Sequence, residues 1–255
     1  MKHATTTESK VVIGDTDGLK PAARNHYEVI GALGIAGITA GDASLRVTNS
    51  EVDKLVQTNN DWNTFAAQLG IGYLYYLNGA QEYSENLQWF PWVEPEINGY
   101  YLGQSTIKGA VWRFGSPVFN DMTYRMPFES TRLMFDTALT IASKKQYSLF
   151  VIGGIGGAWN RVGYSDSDNI GLPCASQNLG LNSNTNSSFA WEVGAGLAYA
   201  LNNRIALSLE YLYTDLGNAS TPGSGSTGTI TTPILTPSNF NLTSQAALLG
   251  LHVAI

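Results

Sequence analysis

The chain contains 255 residues, enough for one large domain or two smaller ones, and 13% of the residues are charged. Because soluble domains usually carry roughly 25% charged residues, a solvated charged surface does not cover this whole fold. The formal net charge of −6, with no basic patch, excludes a nucleic-acid partner, since phosphate binding requires clustered Lys and Arg. The single cysteine, Cys174, excludes an internal disulfide framework and a cysteine-based zinc site.

After a polar stretch at residues 1–25, interpreted as a periplasmic or partly ordered tail, the sequence predicts one domain of eight β-strands at residues 26–255. Each strand is indicated by apolar residues at every second position. The longest apolar run, 29–40, is far shorter than the roughly 20 residues of a transmembrane helix. The predicted strands are 27–40, 63–77, 88–112, 128–142, 147–164, 188–201, 204–214 and 239–255.

The alternation places bulky apolar side chains on one face of a strand and small or polar ones on the other. In the sixth predicted strand, Trp191 and Leu197 alternate with Glu192 and Gly196. A bulky outer face around a cramped interior is typical of a barrel that lipid surrounds. The sequence therefore predicts an all-β fold, an eight-stranded antiparallel up-and-down transmembrane β-barrel.

Short connections alternate with long ones along the chain. A tight turn is predicted at residues 143–146, and Asn202-Asn203 suits a two-residue type I′ hairpin. Pro91 and Pro95 lack a donor for the ladder and should lie at a rim or bulge. The long connections share one end of the barrel, which matches long extracellular loops above short periplasmic turns. They are residues 41–62, 113–127, 165–187 and 217–238.

Aromatic residues should gather at the two membrane interfaces of such a barrel. One group, Tyr75, Tyr147 and Tyr199, falls near the short-turn ends of the strands. No Lys or Arg interrupts the apolar bands of the second, fifth, sixth and eighth strands, where a lipid-facing cation would cost about 2–4 kcal/mol at the midplane. The second group falls near the long-loop ends and consists of Trp62, Trp159, Phe189, Trp191 and Tyr213.

Two segments resemble a known family. They are FPWVEPEINGYYLGQSTIKGAVWRFGSP, from Phe90, and STRLMFDTALTIASKKQYSLFVIGGIGGAWNRVGYSD, from Ser130. Both are similar to the opacity-type, outer-membrane-protein-A-like family of small eight-stranded barrels of Gram-negative bacteria, and the resemblance extends over about residues 26–255. It implies a location in the bacterial cell outer membrane, surface-exposed variable loops, and roles in adhesion, envelope integrity or host contact.

The predicted inward faces carry charged side chains. An eight-stranded barrel is just wide enough to be filled by side chains, and charges enclosed there must pair or reach water. We interpret Arg132 as the central cation of an interior network, which forms a polar plug or, alternatively, a gated ion path. Its predicted members are Arg132, Asp136, Glu94, Glu96, Glu192, Glu210 and Arg204, and His252 also points inward.

The sequence predicts no catalysis, no cofactor and no metal. A hydrolase would need a Ser/His pair with an orienting acid, and His3, His26 and His252 are poorly placed for one. The stretches 15–18 and 166–169 begin like calcium loops, but the first has His26 where a bidentate Glu is required. We interpret both stretches as solvated turns.

These observations predict a non-catalytic outer-membrane barrel with a structural or surface-adhesive role through its extracellular loops. The expected partners are outer-membrane lipids and lipopolysaccharide, with host or surface ligands at the four long loops. Two alternatives stay open. One is a narrow porin-like channel with a charged lumen; the other is a soluble lipocalin-like carrier, in which bulky apolar residues would line a ligand cavity.

Overall fold

The computed structural model describes residues 25–46, 49–59, 62–77, 79–120, 122–168, 179–221, 223–227, 230–233 and 238–255. Cys174, the stretch 15–18 and residues 1–24 of the expected tail lie outside these residues. Two 3₁₀ turns lie at Arg113–Gly115 and Pro117–Phe119. No helix in the described part is long and apolar enough to cross a membrane. The strands are β1 (His26–Ala40), β2 (Ala43–Arg46), β3 (Val52–Gln57), β4 (Thr64–Tyr76), β5 (Gln88–Trp89), β6 (Trp92–Trp112), β7 (Met122–Lys144), β8 (Tyr147–Asp168), β9 (Leu179–Asn202), β10 (Ile205–Ser220), β11 (Ser224–Thr227), β12 (Ile230–Pro233) and β13 (Asn239–Ala254).

Eight long strands close into a ring. β1, β4, β6, β7, β8, β9, β10 and β13 are joined in that order by antiparallel ladders, and β1 closes the ring by pairing with β13. Closure leaves the eight long strands without an open edge, so backbone donors and acceptors are satisfied within the ring, as a strand structure in lipid requires. The predicted eight-stranded antiparallel up-and-down barrel is confirmed.

The β9–β10 hairpin differs from its predicted form. Its two loop residues are Asn203 and Arg204, since Asn202 still pairs with Ile205. The Oδ1 atom of Asn202 accepts hydrogen bonds from the backbone nitrogens of Arg204 at 2.8 Å and Ile205 at 3.0 Å. Neither loop residue has the positive φ that a type I′ turn needs, so that prediction was wrong.

The two prolines interrupt regular pairing near the same end. Pro91 separates β5 from β6, and Pro95 lies within β6. In the ladder between β4 and β6, Gly72 pairs with Glu96, whereas the next pair is Tyr75 with Val93. The pairing resumes in the same register, so the ladder is interrupted near the rim, beside a proline that has no N–H, and no bulge forms at Pro95.

The outer wall carries an apolar belt, which we define as the outward apolar side chains between Tyr147 and Trp159 of β8 and their counterparts around the ring. Leu33, Leu69 and Ile155 in this belt are 57–69% exposed. Twelve residue steps of about 3.3 Å, tilted by about 40°, span about 30 Å, the thickness of a bilayer hydrocarbon core. A soluble carrier would enclose such side chains around a ligand, so the carrier alternative is wrong.

Beyond the apolar belt the strands continue and their polarity reverses. In β8, Arg161 and Ser165 are exposed, whereas Val162 and Tyr164 are buried. We call this part the extracellular extension: β2, β3, β11, β12 and the adjoining ends of the long strands. Its interior, the extracellular core, consists of Leu45, Leu55, Ile107, Val111, Met122, Tyr124, Met126, Phe128, Val162, Tyr164, Leu179, Leu181, Leu216, Phe240 and Leu242.

The predicted long loops are therefore partly β-structure. β7 begins at Met122, before the predicted residue 128, and β9 begins at Leu179, before 188. The hairpins β2–β3 and β11–β12 occupy parts of the predicted loops 41–62 and 217–238, and Asp166 lies within β8 rather than in a solvated turn. The predictions ended each strand where outward apolar residues stop, which is the membrane boundary and not the end of the ladder.

Candidate functional site

Polar side chains of four strands, β6, β7, β9 and β10, meet inside the barrel at the level of the apolar belt. Residues two apart on a strand point to the same face, so alternate residues of β6 and β7 enter the lumen together. We call this group the central network. It comprises Glu96, Asn98 and Tyr100 of β6, Arg132 and Asp136 of β7, Glu192 of β9 and Thr214 of β10.

Arg132 is the cation of the central network. Its side chain is 2% exposed, and its Nη2 atom lies 3.1 Å from the Oε2 atom of Glu192. The same carboxylate oxygen accepts a hydrogen bond of 3.0 Å from the Thr214 hydroxyl. The guanidinium carbon of Arg132 lies 4.1 Å from the centre of the Tyr100 ring, within the range of a cation–π contact. The charge is thus held by one carboxylate and one aromatic face.

Asp136 is held by neutral donors. Its Oδ2 atom accepts hydrogen bonds from Asn98 at 2.8 Å and from the Tyr100 hydroxyl at 3.0 Å. Asn98 also donates to Glu96 at 2.7 Å, which links the two acids. A Cβ atom on Gly154 of β8 would lie 1.7 Å from the Oδ1 atom of Asp136, so the network needs glycine there.

The predicted lumen residues fall into two groups. Arg132, Asp136, Glu96 and Glu192 lie in the central network. Glu94 and Glu210 lie nearer the short turns, with Glu28, Ser208 and His252, in what we call the turn-end cluster. Arg204 was wrongly placed in the lumen: it lies exposed in the β9–β10 turn, because β10 begins one residue later than predicted.

The turn-end cluster surrounds a cavity of about 120 Å³ that His26, Glu28, Glu94 and His252 help to line. His26 Nε2 lies 2.9 Å from one oxygen of Glu28, and His252 Nδ1 lies 3.4 Å from the other. The second ring nitrogen of His252 lies 3.1 Å from the Ser208 hydroxyl. Several carboxylates and two imidazoles therefore share this end of the lumen.

Two further acids are buried in the extracellular extension. Burial raises the pKa of Asp53 to about 6, and the charge of Glu51 adds to the rise. Burial also raises the pKa of Asp166 to about 6, although it accepts hydrogen bonds from the Leu179 nitrogen at 2.7 Å and the Tyr164 hydroxyl at 3.0 Å. The two carboxylates repel each other as well as losing water.

The residues predicted to form girdles lie in two groups on the outer wall. The rings of Tyr147 and Tyr199 are 5.0 Å apart near the short turns, where Tyr75 is also exposed. Near the other edge of the apolar belt, Trp191 and Tyr213 are 5.8 Å apart. Trp159 and Phe189 are exposed on this side, and Trp62 stacks 6.3 Å from Tyr211. Their anchoring role stays a prediction.

Sequence reasoning missed several partners of the lumen charges. Asn98 and Tyr100 continue the inward positions of Glu94 and Glu96, so counting in twos along β6 would have found them. Glu28 likewise stands between the outward residues Tyr27 and Val29 of β1. Contacts across the lumen between strands that are not neighbours, such as Arg132 of β7 with Glu192 of β9, carry no local signal in the sequence.

A closed barrel with an apolar belt and a charged lumen defines a transmembrane β-barrel protein. The sequence matches the family described as "Outer membrane protein beta-barrel domain" over residues 23–243, and the chain belongs to that family. It is accordingly a protein of the bacterial outer membrane. No curated protein matches the chain.

Several solved structures are similar to it. Neisserial surface protein A (NspA) is 12% identical with a TM-score of 0.36, and the match covers 91% of this chain and 100% of that one. Ail, the attachment invasion locus protein of Yersinia pestis, is 11% identical with a TM-score of 0.34, covering 90% and 99%. The outer membrane protease OmpT of Escherichia coli is 10% identical with a TM-score of 0.35, covering 90% and 97%. At such identities the three structures say nothing about the activity of this chain.

Proposed function

We propose that the protein is a non-catalytic surface protein that acts through its extracellular extension, in an adhesive or structural role. The main support is the reversal of polarity along the barrel. After Trp159, β8 continues for nine residues, which at about 3.3 Å each and a tilt of about 40° raise an ordered polar wall about 20 Å above the apolar belt. An apolar interior holds that wall in shape and leaves its outer face free for contact.

The adhesive role is tested on bacteria that display the protein. In one variant a short Gly-Ser linker replaces residues 224–233, which removes the hairpin β11–β12; a control variant carries Asn203→Ser in the turn at the opposite end. We expect wild type and control to adhere to epithelial cells or matrix-coated surfaces above empty-vector bacteria, and the hairpin variant to adhere several-fold less. Equal adherence by wild-type and empty-vector bacteria would show that the protein is no adhesin.

A narrow channel is the second candidate, because the central network gives the lumen a charged lining. An ion would also have to cross the extracellular core, where Tyr124 and Tyr164 stack with ring centres 6.1 Å apart. We therefore propose that the central network is a plug. In planar bilayers, wild type and Arg132→Ala should both lack defined single-channel steps; a conductance in wild type that Arg132→Ala alters would favour the channel.

The outward cations above the apolar belt support a contact with lipopolysaccharide. Lys108 of β6 lies opposite Arg125 of β7, and both are exposed. They border a groove of about 440 Å³ whose other lining residues include Asn59, Gln104 and Thr106. Adjacent cations beside amide and hydroxyl groups suit phosphate and sugar. The double variant Lys108→Gln/Arg125→Gln should bind lipopolysaccharide several-fold more weakly; an unchanged affinity would argue against this contact.

A further inference from the structure

We propose that Glu28, Glu94 and His252 form a binding site for a divalent transition-metal ion of the zinc type, at the turn end of the lumen. The three side chains come from β1, β6 and β13, and each offers one ligand atom within 4.8 Å of the other two. Imidazole nitrogen and carboxylate oxygen are ordinary zinc ligands, and three protein ligands leave a fourth position for water.

The backbone of β4 allows these side chains to converge. Gly72 pairs with Glu28 on one side and with Glu96 on the other. A Cβ atom at Gly72 would lie 2.3 Å from the Oε1 atom of Glu94, so Glu94 passes over the glycine toward β1. A side chain at this position would separate the two carboxylates.

The environment of Glu94 is a second, independent indication that this site binds a ligand. It is 6% exposed, it lines the turn-end cavity, and its Oε1 atom has no hydrogen-bond partner among the described residues. A buried carboxylate oxygen without a partner is costly, because burial removes the water that would stabilise its charge. A cation bound beside Glu94 would remove that cost.

The neighbours of the site hold its ligands in a suitable orientation. His26 contacts one oxygen of Glu28, and the other oxygen faces His252 Nδ1 at 3.4 Å. Ligands about 2.1 Å from a tetrahedral metal ion stand about 3.4 Å apart, so this pair is already at a suitable spacing. Ser208 and Glu210 lie beside Nε2 of His252 and fix the ring, as a hydrogen-bonded second nitrogen does in metal sites.

The test uses the full chain, refolded in detergent, freed of metal with a chelator and titrated with Zn²⁺. We expect wild type to bind one equivalent, with Co²⁺ giving the visible absorption of tetrahedral coordination. Glu94→Gln, which keeps size and hydrogen-bonding atoms, should weaken Zn²⁺ binding at least about 30-fold, since even loss of a supporting residue typically costs 10–100-fold. Glu85→Gln is the matched control: Glu85 lies at the same end of the barrel but is exposed and pairs with Lys145.

Heat-modifiable gel mobility shows whether each variant is folded. Folded wild type that binds no Zn²⁺ would overturn the proposal, as would binding that folded Glu94→Gln retains. Selective binding of Ca²⁺ or Mg²⁺ would also overturn it, because those ions require more oxygen ligands than the site offers. None of these outcomes depends on adhesion, so the site and the proposed function are tested separately.

Discussion

At the scale of single residues, replacing one partner of the buried ion pair of Arg132 and Glu192 should lower the stability of the barrel strongly. Both side chains are almost fully buried, so replacing one leaves the other as an uncompensated charge. We expect Arg132→Met to lower the free energy of unfolding by about 3–5 kcal/mol. Urea unfolding in lipid vesicles measures this change. Arg161→Met is the control, because Arg161 is exposed and contacts Ser183; equal losses in the two variants would contradict the assignment.

Two adjacent glycines of β8 give a sharper residue-scale comparison. Gly154 faces the lumen, where a Cβ atom would lie 1.7 Å from Asp136, whereas a Cβ atom on Gly153 would meet nothing within 4 Å. Gly154→Ala should therefore destabilise the barrel by about 1–3 kcal/mol, the usual cost of overpacking. Gly153→Ala should change its stability little or raise it. The same urea titration distinguishes them, and a larger loss for Gly153→Ala would reverse the assignment of faces.

At the scale of the strand, the sequence predicted correctly which face of the wall the side chains point to, but it predicted strands that are too short. In β8 the odd-numbered residues Tyr147, Ile155 and Trp159 are apolar and face outward. Beyond Trp159 the even-numbered residues of β8 still face inward, but they are now the apolar ones, Val162 and Tyr164. A pattern defined by apolar outward residues therefore ends where the surroundings change from lipid to water, although the ladder continues.

For the lumen, the sequence predicted which side chains point inward but not which of them pair. Counting every second residue along a strand placed Arg132, Asp136 and Glu192 inside, because alternate side chains share a face. Which acid pairs with Arg132 depends on the stagger between β7, β8 and β9, where Asp136 pairs with Gly154 and Gly154 with Glu192. That stagger is fixed by closure of the ring and by bulges, neither of which is visible in one strand.

The acids of the extracellular extension make the stability of that element depend on pH. The pKa of Asp53 and of Asp166 is about 6 in the folded protein, above the ordinary value of 3.8. Between these values the folded state binds more protons than the unfolded state, so stability falls as pH rises from about 4 to above 6.

Asp166→Asn should relieve this effect, because it removes the charge and keeps an oxygen that can accept from the Leu179 nitrogen. We expect the variant to be as stable as wild type at pH 4 and more stable at pH 7.5. Hydrogen exchange of the backbone amides in β3 and the ends of β7 and β8, corrected for intrinsic rates, measures this difference. A wild-type extension that is better protected at pH 7.5 than at pH 4 would contradict the prediction.

At the scale of the whole molecule, one part of the outer surface faces lipid and another part faces water. The exposed fraction of a side chain does not distinguish the two. Ile155 in the apolar belt is 57% exposed and Val118 beyond the end of β6 is 83% exposed. If lipid surrounds the first and water the second, Ile155→Arg should lower the free energy of unfolding in vesicles by about 2–4 kcal/mol. Val118→Arg should change it by less than about 0.5 kcal/mol, as surface substitutions in water usually do. Urea unfolding of both variants in the same vesicles makes the comparison, and similar small changes at the two sites would show that the apolar belt does not face hydrocarbon.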